Sequence, residues 1–492
     1  AANVLNSAKT WLSDGVYILH VLPFNDYQSA PTDSAVRKTM PVVGSTPDAL
    51  FPVMEHATLS NGMKIILTQR SAIPIVNLSM LFDAGYSSDP PTQPGIANLS
   101  MNMMDEGTAK RNALQISEEL AMLGTNLNTG SALDVSTINC NTLKSNLDAS
   151  LDLYADIILH PSFPQKDLER LQKRIIAGIQ QEKVEPISMG LRVFPKLLYG
   201  SGHAYSSPFT GSGTEESVQK MTRDDMIKFH QTWIKPNNAT LIIVGAVTMD
   251  EIKPKLERLF KNWKSGDVPK KEIATVPQNE KKAIYLVDKP GSPTSIIFGA
   301  HVTLPKNNPD EIAIEAMNMI LGGMFTSRIN MNLREDKHWS YGSGSAIIPA
   351  RGQRPFLAYG IVQTDKTKES MVELEKELRW IVGSHPPTQD EVSKVQNSLV
   401  QQLPGQWETI GAVSGTISEM VQFGLPEDYY TKYPGMIHAL GVPTISDAAK
   451  KVLHPDNIIW IVVGDRSKIE APIRELGIGD IIFIDGDGNP KQ

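Results

Sequence analysis

The sequence predicts an α+β fold made of two copies of one unit, in each of which an antiparallel or mixed sheet packs against helices. Three observations lead to it: a repeated helix–turn–strand segment, a constant spacing between paired prolines, and a polar stretch between the copies. The chain has 492 residues, of which 41% are hydrophobic and 21% charged, as in globular proteins of more than one domain.

Three segments of the sequence resemble one another. Each ends a predicted helix, turns through Gly, Pro, Asn or Asp, and then runs into an apolar strand. They are SAKTWLSDGVYILHVLPF (7–24), FHQTWIKPNNATLIIVGAV (229–247) and AAKKVLHPDNIIWIVVGD (448–465). Because ATLIIVGAV and NIIWIVVGD are continuously apolar, we expect these two strands to lie centrally or to be covered on both faces.

The two halves also begin alike. MKIILTQRSAIPIVNLSMLFDAGYSSDP in the first half parallels IYLVDKPGSPTSIIFGAHVTLPKNNP in the second. Pro74 and Pro293 are 219 positions apart, and so are Pro90 and Pro309. One offset that holds at both prolines indicates duplication, so each half is predicted to contain two strands, several helices and a closing strand.

These repeats predict a domain organisation. We expect an N-terminal extension over 1–50, a first domain over 51–263, a polar, proline-interrupted linker over 264–282, and a second domain with a C-terminal tail over 283–492. Segment 7–24 reads as a closing helix and strand with no repeat unit before it, which predicts the last piece of a unit encoded upstream. The alternative is an extension that happens to form a helix and a strand.

Charge and cysteine content exclude several classes of protein. With 47 Lys and Arg against 54 Asp and Glu, the net charge is −7, and no dense basic tract favours nucleic-acid binding. The single cysteine, Cys140, excludes an intramolecular disulfide and a cysteine-based zinc site. The sequence has no apolar run of about 18 residues or more, so no membrane-spanning helix is predicted.

The segment QPGIANLSMNMMDEGT (93–108) predicts a short helix, opened by Pro-Gly and closed by Asp-Glu-Gly. Asn98, Met101 and Asn102, at i, i+3 and i+4, would share one face of that helix, and none of them is ionisable. From the residues alone, this is an amphipathic helix with Met and Leu in the core and two amides on it.

Around this helix the chain resembles a known family. LSNGMKIIL, AGYSSDP and the duplicated halves are similar to the pitrilysin/insulinase zinc peptidases, with the mitochondrial processing peptidases and respiratory core proteins, over about 59–465. The resemblance implies two peptidase-like domains that form half of a clam-shell chamber. It also implies that a helix of the form G-x-A-H-x-x-E-H follows AGYSSDP, with two histidines that bind zinc and a glutamate that activates water.

The residues that this family uses for zinc are absent at the matching positions. The two histidines fall on Asn98 and Asn102, the glutamate falls on Met101, and the distal glutamate falls on Gly178, 76 positions after Asn102. An amide oxygen is a weak zinc ligand, a thioether accepts no proton from water, and glycine has no side chain. We therefore expect no metal on this chain and no peptide hydrolysis by the chain alone.

The second half contains an arginine and a tyrosine at the spacing that the family uses. Arg334 and Tyr341, seven residues apart in GGMFTSRINMNLREDKHWSYGSGSA, match the family's arginine and tyrosine that contact substrate and the oxyanion. The alternative is structural: Arg334 would pair with Glu335 or Asp336, and Tyr341 would cover a sheet edge.

Absence of the zinc ligands together with presence of the Arg/Tyr pair implies that two units share one active site. The chain would be the non-catalytic subunit or half of a two-unit zinc metallopeptidase acting on unfolded proteins or peptides. Zinc would be carried by an H-x-x-E-H partner, either a separate subunit or the upstream half of one precursor. The alternatives are a structural homologue, like the respiratory core proteins, and a peptide-binding module. The resemblance favours the bacterial periplasm, with the mitochondrial matrix as the alternative.

Two further segments have simpler interpretations. GSGHAYSSPFTGSGTEE (200–216) is predicted to be a chamber-lining loop, and its His203 a loop residue, because no second ligand stands near. DGDGNP (485–490) has proline where a calcium loop needs glycine, so it is predicted to be a solvated tail.

Overall fold

The structure is a computed structural model that describes residues 2–12, 15, 17–19 and 49–491. The described residues up to 19 and those from 49 onward belong to two different units. In the first unit, helix α1 (Ala2–Leu12) covers the helical part of segment 7–24. The strand predicted after that helix falls largely on residues outside the described ones.

The second unit begins with six strands and eight helices that belong to the first half of the duplication. The strands are β1 (Glu55–Thr58), β2 (Lys64–Gln69), β3 (Ile75–Phe82), β4 (Asn126–Ser131), β5 (Ser136–Leu143) and β6 (Ala239–Gly245). The helices are α2 (Ile96–Asn102), α3 (Ala113–Leu123), α4 (Leu147–Leu159), α5 (Gln165–Glu182), α6 (Pro186–Tyr199), α7 (Glu215–Lys220), α8 (Arg223–Trp233) and α9 (Met249–Phe260).

The second half repeats this content. Its strands are β7 (Ala283–Asp288), β8 (Thr294–Thr303), β9 (Ser340–Ile347), β10 (Arg354–Gln363), β11 (Ile459–Gly464) and β12 (Asp480–Ile484). Its α-helices are α10 (Glu311–Asn318), α11 (Arg328–Asn330), α12 (Thr367–Val382), α13 (Gln389–Gln406), α14 (Ile410–Phe423), α15 (Tyr429–His438), α16 (Val442–Val452) and α17 (Arg466–Arg474). Two π-helical turns, Met319–Gly323 and Met331–Asp336, flank α11. The short 3₁₀ helices are Tyr86–Ser88, Lys144–Asn146, Pro236–Asn238, Thr364–Lys366 and Pro455–Asn457.

The strand order confirms the predicted duplication. The first sheet runs β1-β2-β6-β3-β5-β4, and the second runs β12-β7-β11-β8-β10-β9. Five strands therefore correspond in order, and the sixth differs: β1 pairs antiparallel with β2, whereas β12 pairs parallel with β7. The α+β class with two mixed sheets and their helices is the one that the sequence predicts.

The apolar closing strands lie where their composition indicates. Strand β6 lies between β2 and β3, and β11 lies between β7 and β8. Every residue of β11 is buried, and so is every residue of β6 except Thr240. The prediction missed the pairs β4–β5 and β9–β10, so each half has more strands than expected.

Each half contributes one helix to the sheet of the other half. Helix α6 packs on β8 and β11, and α14 packs on β3 and β6. In the first contact the rings of Phe194 and Phe298 meet edge to face, with centroids 6.3 Å apart. In the second, Ile417 and Ile242 belong to one buried core. Because each helix buries apolar surface on the other half, the two halves stabilise each other.

Helix ends follow local sequence rules. The Asn112 side chain accepts a hydrogen bond from Gln115 N at the start of α3, and the Gln115 side-chain oxygen accepts one from the Asn112 backbone N–H. The same helix ends at Gly124, whose φ of 60° is left-handed. The predicted linker, residues 264–282, contains no helix or strand.

Candidate functional site

The motif positions Asn98, Met101 and Asn102 lie on helix α2, whose first residues are held by hydrogen bonds to a side chain. Gly95 precedes it with a left-handed φ of 98°. The Asp89 carboxylate accepts hydrogen bonds from the backbone N–H groups of Gly95 (2.6 Å) and Ala97 (3.0 Å). Burial raises the pKa of Asp89 to about 8, and the backbone donors act in the opposite direction. The start of the helix is thus satisfied by a side chain of the same segment.

The two amides of the motif bond to each other. Asn102 Nδ2 donates to Asn98 Oδ1 at 2.6 Å and to the Asn98 carbonyl at 2.8 Å, and Asn98 Nδ2 donates to the Thr210 carbonyl at 3.0 Å. The Met101 side chain is fully buried in the core of the first half, as expected for a methionine of this helix. No member of the motif is therefore placed to activate a water molecule.

The distal position is equally unsuited to a metal. Gly178 lies on α5, and a Cβ built on it would meet no atom within 4 Å. Glu182, one turn further, is held by Arg192 at 2.6 Å. Within the described residues, no group of three or more His, Cys, Asp or Glu side chains could hold a metal ion. The residues at the four motif positions do not fit the zinc ion of the peptidases that the chain resembles.

The glycine-rich segment forms a loop against the start of α2. Gly213 approaches the Pro94 carbonyl so closely that a Cβ would lie 2.1 Å from its oxygen, and its φ is 70°. His203 accepts a hydrogen bond from Tyr205 N at 2.9 Å, and its Nε2 lies 2.8 Å from the Ala274 carbonyl oxygen. Both ring nitrogens thus have backbone partners, so His203 is a loop residue, as predicted.

Arg192 is a site-forming residue that sequence reasoning missed. Its side chain is only 2% exposed, and it donates to Glu182, to the Gly213 carbonyl at 2.8 Å and to Asp487 at 3.0 Å. The predicted solvated tail is therefore wrong, because Asp487 in that tail binds Arg192 on α6 and Lys183, the residue directly after α5. The signal was present in LRVFPKLLY, where an arginine interrupts an apolar helix face.

A cavity of about 870 Å³ lies beside this network. It is lined by the segment after β3, the glycine-rich loop, residues 269–272 of the linker, and the C-terminal turn. Neither the amide pair nor Arg334 and Tyr341 line it.

The second candidate region lies at the edge of the second sheet. Arg334 sits in a π-helical turn, and Tyr341 sits on the edge strand β9. The Arg334 Cζ lies 5.6 Å from the centroid of the Tyr341 ring and 4.8 Å from that of Phe325, which the sequence reasoning did not single out. The Tyr341 residue is 87% exposed. The structure thus brings the predicted pair together on an open surface.

The structural alternative pairs Arg334 with Glu335 or Asp336. Arg334 Nε lies 3.5 Å from Glu335 Oε1, and both side chains are partly exposed. The guanidinium donors and the phenol are thus available to a ligand, and such groups hydrogen-bond backbone carbonyls and oxyanions. Within the described part of the chain, no hydrogen bond or ion pair joins this region to Asn98 or Asn102.

The described helices include none that is long and apolar enough to cross a lipid bilayer.

Comparison with known proteins identifies two matching family domains. Residues 64–193 match the insulinase domain of peptidase family M16, and residues 220–399 match the peptidase M16 inactive domain. A protein of Rickettsia bellii described as an uncharacterized zinc protease is 23% identical over 366 residues, which cover 73% of this chain and 85% of that protein. The non-peptidase homolog YmxG of Helicobacter pylori is 21% identical over 82% of this chain and 92% of its own length.

Solved structures share the fold. The peptidase M16 inactive domain from Pseudomonas fluorescens superposes with a TM-score of 0.78 at 22% identity and covers 84% of this chain and 98% of its own. The periplasmic protease PqqL of Escherichia coli superposes with a TM-score of 0.72 at 16% identity; the match covers 94% of this chain and 51% of the PqqL chain.

Proposed function

Because this chain belongs to peptidase family M16, we propose that it is the non-catalytic half of a two-unit zinc metallopeptidase. Its substrates are unfolded proteins or short peptides, and its Arg334 and Tyr341 contact the substrate and the developing oxyanion at a zinc ion held by the other unit. One observation carries the proposal: the pair is adjacent and exposed, whereas the amides at the metal positions are bonded to each other.

The partner is defined by chemistry. It is a homologous unit with an H-x-x-E-H helix and one zinc ion, present as a separate subunit or as the other half of the same polypeptide. The match to PqqL supports a paired arrangement, because this chain aligns with 51% of that longer chain. PqqL is described as periplasmic, and we propose the same compartment here, with the mitochondrial matrix as the alternative.

The domain boundaries belong to this proposal. A first peptidase-like domain over 51–263 and a second over 283–492 are joined by the linker 264–282. Strands β4 and β9 are edge strands. An extended peptide can add to such an edge through backbone hydrogen bonds, which suits substrates without fixed structure.

Purification of the chain from its native source tests the partnership. Mass spectrometry is expected to find an H-x-x-E-H homologue, and zinc quantification is expected to give about one zinc ion per pair. A metal-free homodimer would contradict the proposal.

Substitution in that native complex tests the role of the pair. Arg334→Ala and Tyr341→Phe are each expected to lower kcat for peptide hydrolysis by about a hundredfold, the usual cost of removing one oxyanion donor. Arg379→Ala is the matched control, because Arg379 pairs with Glu375 and Asp456 on another surface. If both site variants kept the wild-type kcat, the pair would have no part in hydrolysis.

A structural or peptide-binding homologue with no role in hydrolysis is the second candidate. The closed amide pair on α2 favours it, since nothing there can bind a metal or activate water. Under this function, the two site substitutions leave the activity of any associated peptidase unchanged, and the chain purifies with its assembly partner but without zinc.

A further inference from the structure

Phe325 stands in a short segment between the first π-helical turn and α11. Its ring centroid lies 4.8 Å from Arg334 Cζ, closer than the ring of Tyr341 at 5.6 Å. Phe325 is nevertheless 58% exposed. The guanidinium therefore contacts two aromatic rings, and each of them keeps much of its surface open to solvent.

Backbone contacts fix the segment that carries Phe325. The Phe325 carbonyl accepts a hydrogen bond from Asn330 Nδ2 at 2.7 Å. Just before the segment, Gly322 crosses β9 so closely that a Cβ would lie 2.0 Å from Ser345 N. Because the segment is fixed at both ends, the fold sets the point from which the exposed Phe325 side chain leaves the backbone.

Arg334 has little else to hold it. Its one ion pair in the described part of the chain is the contact with Glu335 at 3.5 Å, between two partly exposed side chains. Ion pairs of that kind contribute little, whereas a guanidinium over an aromatic ring is attracted by the ring quadrupole. The contact with Phe325 is thus the main restraint on the direction of the guanidinium.

We propose that Phe325 is a positioning residue, which holds the Arg334 guanidinium beside Tyr341 so that both reach the same substrate carbonyl. This inference rests on the proposed function of the pair. The ring acts through its π face, so an aromatic residue preserves the effect and an aliphatic one does not.

The test uses the native zinc-containing complex and a quenched-fluorescence peptide substrate. Phe325→Leu is expected to lower kcat about three- to thirtyfold, the loss of one cation–π contact, while Phe325→Tyr keeps more than half of the wild-type kcat. In the Arg334→Ala background, Phe325→Leu is expected to have no further effect, because the two side chains act as a unit. Phe483→Leu is the matched control, since Phe483 packs under Arg466 elsewhere at 3.6 Å.

The outcomes separate this inference from the function on which it rests. If Arg334→Ala lowers kcat while Phe325→Leu matches wild type, or if the two effects simply multiply, the positioning role is overturned and the proposed function stands. If Arg334→Ala itself leaves kcat unchanged, the proposed function fails and this inference fails with it. Thermal unfolding of each variant separates loss of kcat from loss of folding.

Discussion

Helix α2 in the first half and the Arg334–Tyr341 surface in the second differ in how their polar groups are used. On α2, the donors of both amides are taken by Asn98 itself and by the Thr210 carbonyl. On the second surface, Arg334 has one long ion pair among the described residues, and Tyr341 is 87% exposed. The first region is closed on itself, and the second is open to a ligand.

Under the proposed function, this difference separates a region that contributes structure from one that contacts the substrate. A polar group that is already hydrogen-bonded inside the protein gains little from a ligand, because it must break a bond to form one. A solvent-exposed guanidinium or phenol exchanges hydrogen bonds with water for hydrogen bonds with a ligand, and no bond inside the protein has to break. The hydrogen bonds on α2 are therefore internal to the protein, whereas the donors of the second surface face solvent.

Restoring a metal site on α2 is expected to have the largest effect and would erase the difference. Asn98→His and Asn102→His place two imidazoles one helical turn apart, and Gly178→Glu has room, because a Cβ there meets no atom within 4 Å. The triple variant is expected to bind about one zinc ion with a Kd below about 1 µM, near 8 kcal/mol. Zinc quantification after dialysis measures the change.

The variant with the two histidines alone is the control, and it is expected to bind zinc more weakly. Because Met101 remains, the triple variant is expected to hold zinc without hydrolysing peptides. Stoichiometric zinc on the wild-type chain, or none on the triple variant, would show that α2 is not a metal helix stripped of its ligands.

The buried network around Arg192 gives the next largest effect. It ties the glycine-rich loop and the C-terminal turn to α6, through Gly213 and Asp487. Arg192→Met leaves Glu182 and Asp487 without their buried partner, and we expect a loss of about 3 kcal/mol or more in the free energy of unfolding. Urea unfolding monitored by circular dichroism measures it.

Arg334→Met is the matched control for that loss. On the open surface the same change removes only a weak ion pair and a cation–π contact, so its unfolding free energy is expected to stay within about 1 kcal/mol of wild type. Equal losses for the two variants would mean that the open surface is as structural as the closed one.

The apolar runs and the constant spacing between the two halves predicted the duplication and its central strands, because these features depend on burial. The apolar runs of β6 and β11 indicate central strands because both of their faces are covered. Strands β4 and β5 were missed because asparagine, which is depleted in strands, recurs in NLNTGS and STINCNTL. Strand β5 pairs with β3 and with β4, so tertiary pairing places these asparagines in a sheet although asparagine is disfavoured in strands.

In the candidate site, too, some residues were predicted from their spacing and others were missed. The seven-residue spacing of Arg334 and Tyr341 indicated the pair, and the motif offset indicated Asn98, Asn102 and Gly178. Phe325 was missed because it lies in the turn before α11, so no helical spacing connects its ring to Arg334 nine positions later. The contacts of Arg192 join segments far apart in the chain, and no local pattern encodes them.

Removing the amide pair is expected to have the smallest effect. It tests whether Asn98 and Asn102 bond only within the protein. Asn98→Ala combined with Asn102→Ala deletes both partners of the shared hydrogen bond, and the exposed Thr210 carbonyl regains water. When both partners go, the net change is small, so the unfolding free energy is expected to shift by less than about 1 kcal/mol. The kcat of the native complex is expected to stay unchanged. A tenfold drop in kcat at unchanged stability would mean that these amides touch the substrate or the partner, and the two regions would then share one site.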